Sequence, residues 1–194
     1  MESQKEWRRQ ALAARDQLSA AALAEKSAAI TAHLFQLERF LNYRSVMFYA
    51  SFRSEVSTSL AISRSLALGM AVVLPLALPN EHRLQPRLIS DPAKQLRPGY
   101  CAIPEPDPEQ TQVVDPRDIE VVIVPGSVFD LQGGRIGYGG GFYDRFLQFE
   151  APQAVRIGLA FAVQLVGVDL ALADHDQRVD VLVTEERVYE FSRR

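Results

Sequence analysis

The chain is short of several things that usually announce a function. It has one cysteine, Cys101, in 194 residues. That excludes an internal disulfide and a zinc site built of cysteines alone, and it fits a reducing compartment. Three scattered histidines without paired ligand spacing argue against zinc as well. No apolar run is long enough to span a bilayer, and the first segment, "MESQKEWRRQALAARDQL", has no apolar signal-peptide core. Its acids Glu2, Glu6 and Asp16 argue against a transit peptide, so the expected location is cytoplasmic. Charge of one sign is also lacking: the formal net charge is −3, which argues against a dedicated nucleic-acid binder. What the chain does have is 47% hydrophobic residues, enough to bury a core in a single domain over 1–194.

Residues 1–41 read as a helical pair packed on that domain. Trp7, Ala11, Ala14 and Leu18 recur at helical spacing. Ser19 can cap a second helix with Leu23, Ser27, Ile30, Leu34, Leu37 and Leu41 on one face. The first helix is cationic, with Lys5, Arg8, Arg9 and Arg15, which by itself reads as a solvated face. The period then shortens. "SVMFYA" (45–50), "MAVVLP" (70–75), "EVVIVPG" (120–126), "AVRIGLAF" (154–161) and "VDVLVT" (179–184) are short apolar runs of the kind that form strands buried on both faces. A helix is expected over 55–69, ending at Gly69. "HRLQPRLI" (82–89) reads as a strand that Pro86 would push to an edge. "LRPGYCAIPEPDPEQ" (96–110), with Pro98, Pro104, Pro106 and Pro108, reads as an irregular loop. Strands alternating with helices predict an open, mainly parallel α/β sheet with helices on both faces and an N-terminal helical hairpin.

Six of the eleven glycines fall between Gly133 and Gly141, in "GGRIGYGGGFYDRF". The stretch follows a buried strand and opens a helix near Phe142. In open α/β sheets, ligands bind outside the carboxyl ends of strands. Glycines there let backbone N–H groups approach phosphate, and Arg135 can add a charged fork. A Walker A motif is excluded, because no Lys-Ser or Lys-Thr follows the last glycine. The dinucleotide fingerprint fails at its third glycine, which falls on Phe142. A long flexible turn is the plainer alternative. Asp144 can favour the helix dipole or hold Mg²⁺ beside a triphosphate. Tyr143 can belong to the core or orient a substrate.

"VPGSVFDLQGGRIGYGGGFYDRFL" (124–147) resembles the signature of the 5-formyltetrahydrofolate cyclo-ligase family, also called methenyltetrahydrofolate synthetases. Pro125, Gly126, Phe129, Asp130, Gly133, Arg135, Gly137, Gly139, Gly141, Tyr143 and Asp144 fit. Ile136 stands for Leu, Phe142 for the first Tyr, and Gly140 for a residue that is a cation in some members. Further matches are Lys5 and Arg9 in "KEWRR", with Arg8 in the place of a leucine; Glu55, Val56 and Thr58; Gly99, Ile103, Glu105 and Pro106, with Tyr100 as the aromatic; and "LADHDQRVDVLVTE", with Asp176.

The resemblance implies a sheet of the NagB/RpiA/CoA-transferase-like kind. It also implies ATP-dependent closure of 5-formyltetrahydrofolate, with or without a polyglutamate tail, to 5,10-methenyltetrahydrofolate, by a monomer using Mg²⁺. On that reading Arg135 and Tyr143 are catalytic. ATP lies on Lys5, Arg9, Arg135, Gly137, Gly139, Gly140, Gly141, Phe142 and Tyr143. The folate lies on Glu55, Tyr100, Tyr138, Gly139, Gly140, Gly141 and Phe142. Asp144 and Asp176 hold the metal. Two rivals stand beside it. One is another α/β enzyme needing a base such as Glu105; the other is a nucleotide- or folate-binding module with altered catalysis.

Overall fold

A computed structural model describes residues 3–170 and 172–192; Glu2, one of the acids noted above, lies outside them. Helix α1 spans Gln4–Asp16 and α2 spans Ala20–Gln36. Ser3 and Ser19 cap them, each side chain accepting an N–H from the first turn, as the Ser19 reading anticipated. The stripe on α2 ends earlier than its spacing suggests. Leu37 is already extended, α3 (Glu38–Leu41) buries Phe40, and Leu41 is exposed.

Thirteen strands follow among the described residues. The first three are β1 (Ser45–Met47), β2 (Ala71–Leu78) and β3 (Arg83–Ile89). Next come β4 (Leu96–Pro98), β5 (Pro104–Pro106), β6 (Gln112–Val113) and β7 (Val121–Val124). The last six are β8 (Val128–Asp130), β9 (Arg135–Ile136), β10 (Val155–Leu159), β11 (Leu165–Val166), β12 (Val181–Val183) and β13 (Val188–Glu190). Eight of them form one sheet in the order β13-β12-β10-β7-β1-β2-β3-β6. The five central strands are parallel, and antiparallel strands flank them on both sides.

The central strands are apolar throughout because both sides are covered. Val121 and Ile123 pack with Ile30 and Leu34 of α2 and with Ala61 and Ile62 of α4 (Ser59–Ala67). Short α5 (Pro92–Gln95) lies between β3 and β4, and Val122 and Val124 face the other way, against Phe146 and Leu147 beyond α6 (Phe142–Arg145). The open, mostly parallel sheet with helices on both faces is therefore as expected. Helix α1 packs against the Val128–Asp130 strand and the turn Ala162–Gln164. No helix among the described residues is long and apolar enough to cross a membrane.

Three local expectations need correction. Strand β3 is not at the edge, because β6 lies outside it. Pro86 is tolerated because it stands opposite Pro75 and its carbonyl, not an N–H, serves Val114 on the outer side (2.9 Å). The proline-rich loop contains the hairpin β4–β5, where Pro98 pairs with Pro104 and Leu96 with Pro106. Helix α4 begins only at Ser59, so Glu55 sits in the loop before it rather than in a first turn.

Strand β1 leads through α4 to β2 on one side, whereas β7 leads to β10 on the other. The chain therefore parts between β1 and β7. In such sheets the carboxyl ends of the parting strands form a crevice.

Candidate active site

A cleft of about 670 Å³ opens at that crevice, a size suited to small-molecule ligands. Tyr49 and Ala50 reach it from the end of β1, Pro75 and Ala77 from β2, and Pro125 from the end of β7. The glycine loop between β9 and α6 forms one wall.

The loop is anchored at its base by Asp130. That fully buried carboxylate accepts N–H groups from Gln132 (2.8 Å), Gly134 (2.6 Å) and Leu170 (2.9 Å). Three backbone bonds on one carboxylate fix where the loop begins. Gly139 (φ 98°) and Gly141 (φ 67°) take left-handed conformations farther on, the second as the residue that opens α6. Arg135 is buried behind the loop. It donates to Pro125 O (3.1 Å) and to Asp144 Oδ1 (2.5 Å), and the same oxygen accepts Gln177 N (3.0 Å). Asp176 Oδ2 accepts from Gln4 Nε2 (3.0 Å) and Ala173 N (2.8 Å). Both carboxylates line the cleft. No group of three His, Cys, Asp or Glu side chains suited to a metal occurs among the described residues.

The other half of the lining is largely apolar, with Tyr49, Phe52, Pro75, Leu84, Tyr100, Ile103 and Phe142. The Phe142 ring lies 6.3 Å from that of Tyr100 and 6.1 Å from that of His82. Two acids interrupt this surface, Glu55 and Glu105. Burial pushes both carboxyls upward. Glu105 counters its burial by accepting N–H groups from Tyr100 and from Ala77 (3.4 Å). It lies so close to Gly99 that a Cβ there would fall 2.1 Å from its Oε2. Desolvation raises the Tyr143 hydroxyl and, although the Tyr138 side chain is partly exposed, the Tyr138 hydroxyl well above an ordinary phenol, so both stay protonated at neutral pH.

Of the residues singled out from sequence, Glu55, Tyr100, Arg135, Gly137, Tyr138, Gly139, Gly140, Gly141, Phe142, Tyr143, Asp144 and Asp176 all line this cleft. Lys5 and Arg9 do not. Both are exposed, and Arg9 pairs with Glu6 (2.6 Å). The residues of α1 that reach the cleft are Gln4 and Arg8, and Arg8 Nε donates to Gly137 O (2.9 Å). The reason is helical phase. Each residue advances about 100° around the axis, so Gln4, Arg8, Ala11 and Arg15 share a stripe that Lys5 and Arg9 miss. Trp7, next to Arg8, packs on Ala11, Val128 and Ile136. Trp7 and Arg8 are thus the adjacent apolar and basic residues that α1 turns toward the core and the cleft.

Arg15 and Asp130 also escaped the sequence reading as working parts. A charge on the buried stripe of an amphipathic helix was the available signal for Arg15. Cys101 is exposed and lines the cleft.

Comparison with known proteins gives a consistent answer. Over 141 residues the chain is 31% identical to the 5-formyltetrahydrofolate cyclo-ligase of Haemophilus influenzae, spanning 71% of this chain and 74% of that one. It is likewise 31% identical over 148 residues to the enzyme of that name from Escherichia coli strain K12, spanning 76% and 81%. Its fold superposes on the solution structure of Aquifex aeolicus 5,10-methenyltetrahydrofolate synthetase with a TM-score of 0.86 and 28% identity, covering 98% of this chain and 94% of that one. The sequence profile of the 5-formyltetrahydrofolate cyclo-ligase family matches residues 1–185, and the chain belongs to that family.

Proposed function

We propose that the protein closes 5-formyltetrahydrofolate to 5,10-methenyltetrahydrofolate at the expense of ATP, releasing ADP and phosphate. The observation that carries this reading is one cleft with two unlike halves. A glycine loop with Arg8 and Arg135 suits a polyphosphate, and an apolar half with Glu55 suits a flat heterocycle that carries N–H donors.

The chemistry explains why both halves must meet. A formamide carbon is a poor electrophile, and its oxygen is a poor leaving group. Attack of the formyl oxygen on the γ-phosphorus expels ADP and leaves the oxygen esterified. The N10 amine then attacks the carbon, the C–O bond breaks, phosphate departs, and N10 loses its proton. No nucleophilic side chain is needed. The protein's tasks are to align oxygen with phosphorus, to stabilise charge on the phosphoryl group and to keep water out.

Arg8 and the loop amides serve the charge, and Arg135 holds Asp144 in place. Phe142 and Tyr143, which follow the loop and line the cleft, serve to keep the two substrates aligned. Asp144 and Asp176 are the residues that would hold Mg²⁺, which takes one or two carboxylates together with phosphate oxygens. The donor set fits, since both bonds to Asp144 fall on Oδ1 and leave Oδ2 for a cation. When bound, that ion supplies neutralising charge to the phosphate oxygens. Lys5 and Arg9 then act on ATP only at long range. All these groups come from one chain, so a monomer in the cytoplasm suffices.

The test is direct: mix the protein with Mg-ATP and 5-formyltetrahydrofolate and follow the long-wavelength absorbance of methenyltetrahydrofolate together with ADP. Product and ADP in equal amounts are expected. ADP without product would reduce the protein to an ATPase, and neither would refute the reading.

A further inference from the structure

Arg15 is 4% exposed and does not line the cleft, yet its guanidinium is used on two sides. Nη1 donates to the Tyr138 hydroxyl (2.7 Å), and the guanidinium carbon lies 5.8 Å from the centre of that ring. Nε donates to Ser54 Oγ (3.0 Å), which itself donates to Asp16. The Tyr138 hydroxyl, already accepting from Arg15, has one proton to give, and Glu55, which lines the same small pocket as Tyr138 and Arg15, is the carboxylate that draws on it. The other donor to Glu55 is Phe52 N, which reaches Oε2 at 2.8 Å. A chain of donors therefore runs in one direction, from Arg15 through Tyr138 to Glu55. It links α1, the glycine loop and the loop after β1.

We propose that Arg15 is a positioning residue for the folate half of the site: acting through the Tyr138 hydroxyl, it holds the Glu55 carboxylate in one orientation, as the acceptor for N–H donors of the bound heterocycle. The proposal rests on the reading of Glu55 as a folate contact.

Placing an acceptor this way requires that it stay charged. Glu55 is half-buried, and burial pushes its carboxyl upward. The Tyr138 hydroxyl, Phe52 N–H and the Arg15 charge pull it back, in that order. The groups facing it are Arg15 from α1, Tyr138 from the glycine loop, Tyr49 from beyond β1 and Tyr143 from α6. The tyrosines are neutral, so Arg15 is the cation of the set. Removing it raises the Glu55 carboxyl further, and a smaller fraction is then ionised at any given pH.

The experiment is the pH profile, from about pH 5 to 9, of kcat/KM for 5-formyltetrahydrofolate, with KM for ATP measured alongside. The acid limb is expected to move to higher pH by about one unit in Arg15→Gln and in Tyr138→Phe, the usual size for losing one nearby opposite charge or its relay. KM for the folate should rise roughly tenfold while KM for ATP stays within about twofold, because Arg15 lies behind the folate wall. Arg15→Lys should restore most of the limb, and Glu55→Gln should abolish it.

A limb that stays in place, or folate and ATP constants that rise together, would overturn the proposal. Should Arg15→Gln fail to fold, Tyr138→Phe decides, since it keeps the ring and removes only the relay. A Glu55→Gln enzyme with unchanged folate KM would overturn the folate reading of Glu55 and the proposal with it. An effect at Glu55 without one at Arg15 or Tyr138 would overturn the proposal alone.

Discussion

Arg8 stands where the resemblance leads one to expect a leucine, and in the structure it is the helix α1 cation that lines the cleft. Its Nε holds Gly137 O at 2.9 Å, and its Nη atoms lie 3.7 Å from the Cβ position of Gly139. With Nε committed to the loop, the two Nη groups remain for an anion on the loop. A hydrogen bond to a charged group contributes about 1.5–3 kcal/mol. At 1.4 kcal/mol per decade, losing one such contact raises KM for ATP roughly 10- to 100-fold in Arg8→Ala. Arg8→Lys keeps the charge but loses the planar fork, so it should fall between.

The neighbours give the contrast. Arg9 is 71% exposed and paired with Glu6, the kind of surface pair that contributes about 0–1 kcal/mol, and Lys5 is exposed. Lys5→Ala and Arg9→Ala should each change KM for ATP less than about twofold. The assay is the initial rate of methenyltetrahydrofolate formation against ATP at saturating 5-formyltetrahydrofolate, with thermal unfolding as the control for folding. If Lys5 or Arg9 proves more costly than Arg8, the placement of α1 over the loop is wrong.

Three further outcomes are expected. Cys101, the only thiol in the chain, is exposed at the cleft, so a thiol reagent should modify the folded protein, and Mg-ATP with a non-reactive folate analogue should slow it; equal rates with and without ligand would count against the cleft. Gly141→Ala meets nothing within 4 Å but must adopt φ 67°, a strain of about 1–2 kcal/mol that should lower Tm by roughly 2–8 °C at this size; an unchanged Tm would mean that the loop relaxes. Glu105 has its folded pKa raised by burial, so its contribution to stability is complete below its unfolded pKa and is lost as pH rises through the folded value. Glu105→Gln removes that loss, and thermal unfolding should show the variant gaining on the parent as pH rises; parallel Tm curves would refute the shift.

The sheet was legible because its central strands carry one unambiguous pattern. A run such as Val121–Val124 is apolar at every position only when both faces are covered, and both are. The misjudged segments are those where tertiary bonds replace the local pattern. Thr58 reads as helix interior, yet its hydroxyl is committed to Tyr49 O (2.7 Å), and α4 starts after it. The β4–β5 hairpin is hidden by prolines. It forms because Pro98 stands opposite Pro104 in a two-stranded ladder where neither must donate, and because Glu105, between Pro104 and Pro106, takes N–H groups from Tyr100 and Ala77.

The glycine loop, Asp144 and Asp176 were legible as a candidate ligand site, but the contribution of α1 was not, for a geometric reason. A basic helix looks solvated when its charges are counted, and only their phase separates Lys5 and Arg9 from Arg8 and Arg15. Arg8 and Arg15 are seven residues apart, two turns along one face. The first bonds the Gly137 carbonyl and the second the Tyr138 hydroxyl, adjacent residues of the loop. With Ala11 buried and Trp7 partly buried beside them, α1 cannot rotate to free one arginine without exposing apolar surface and releasing the other. The helix therefore ties the Gly137 carbonyl to the Tyr138 hydroxyl beside Glu55, which on the proposed reading links the nucleotide and folate parts of the cleft. That link needs no moving domain, because both contacts arise from the single rotational setting that packs Trp7 on Ala11.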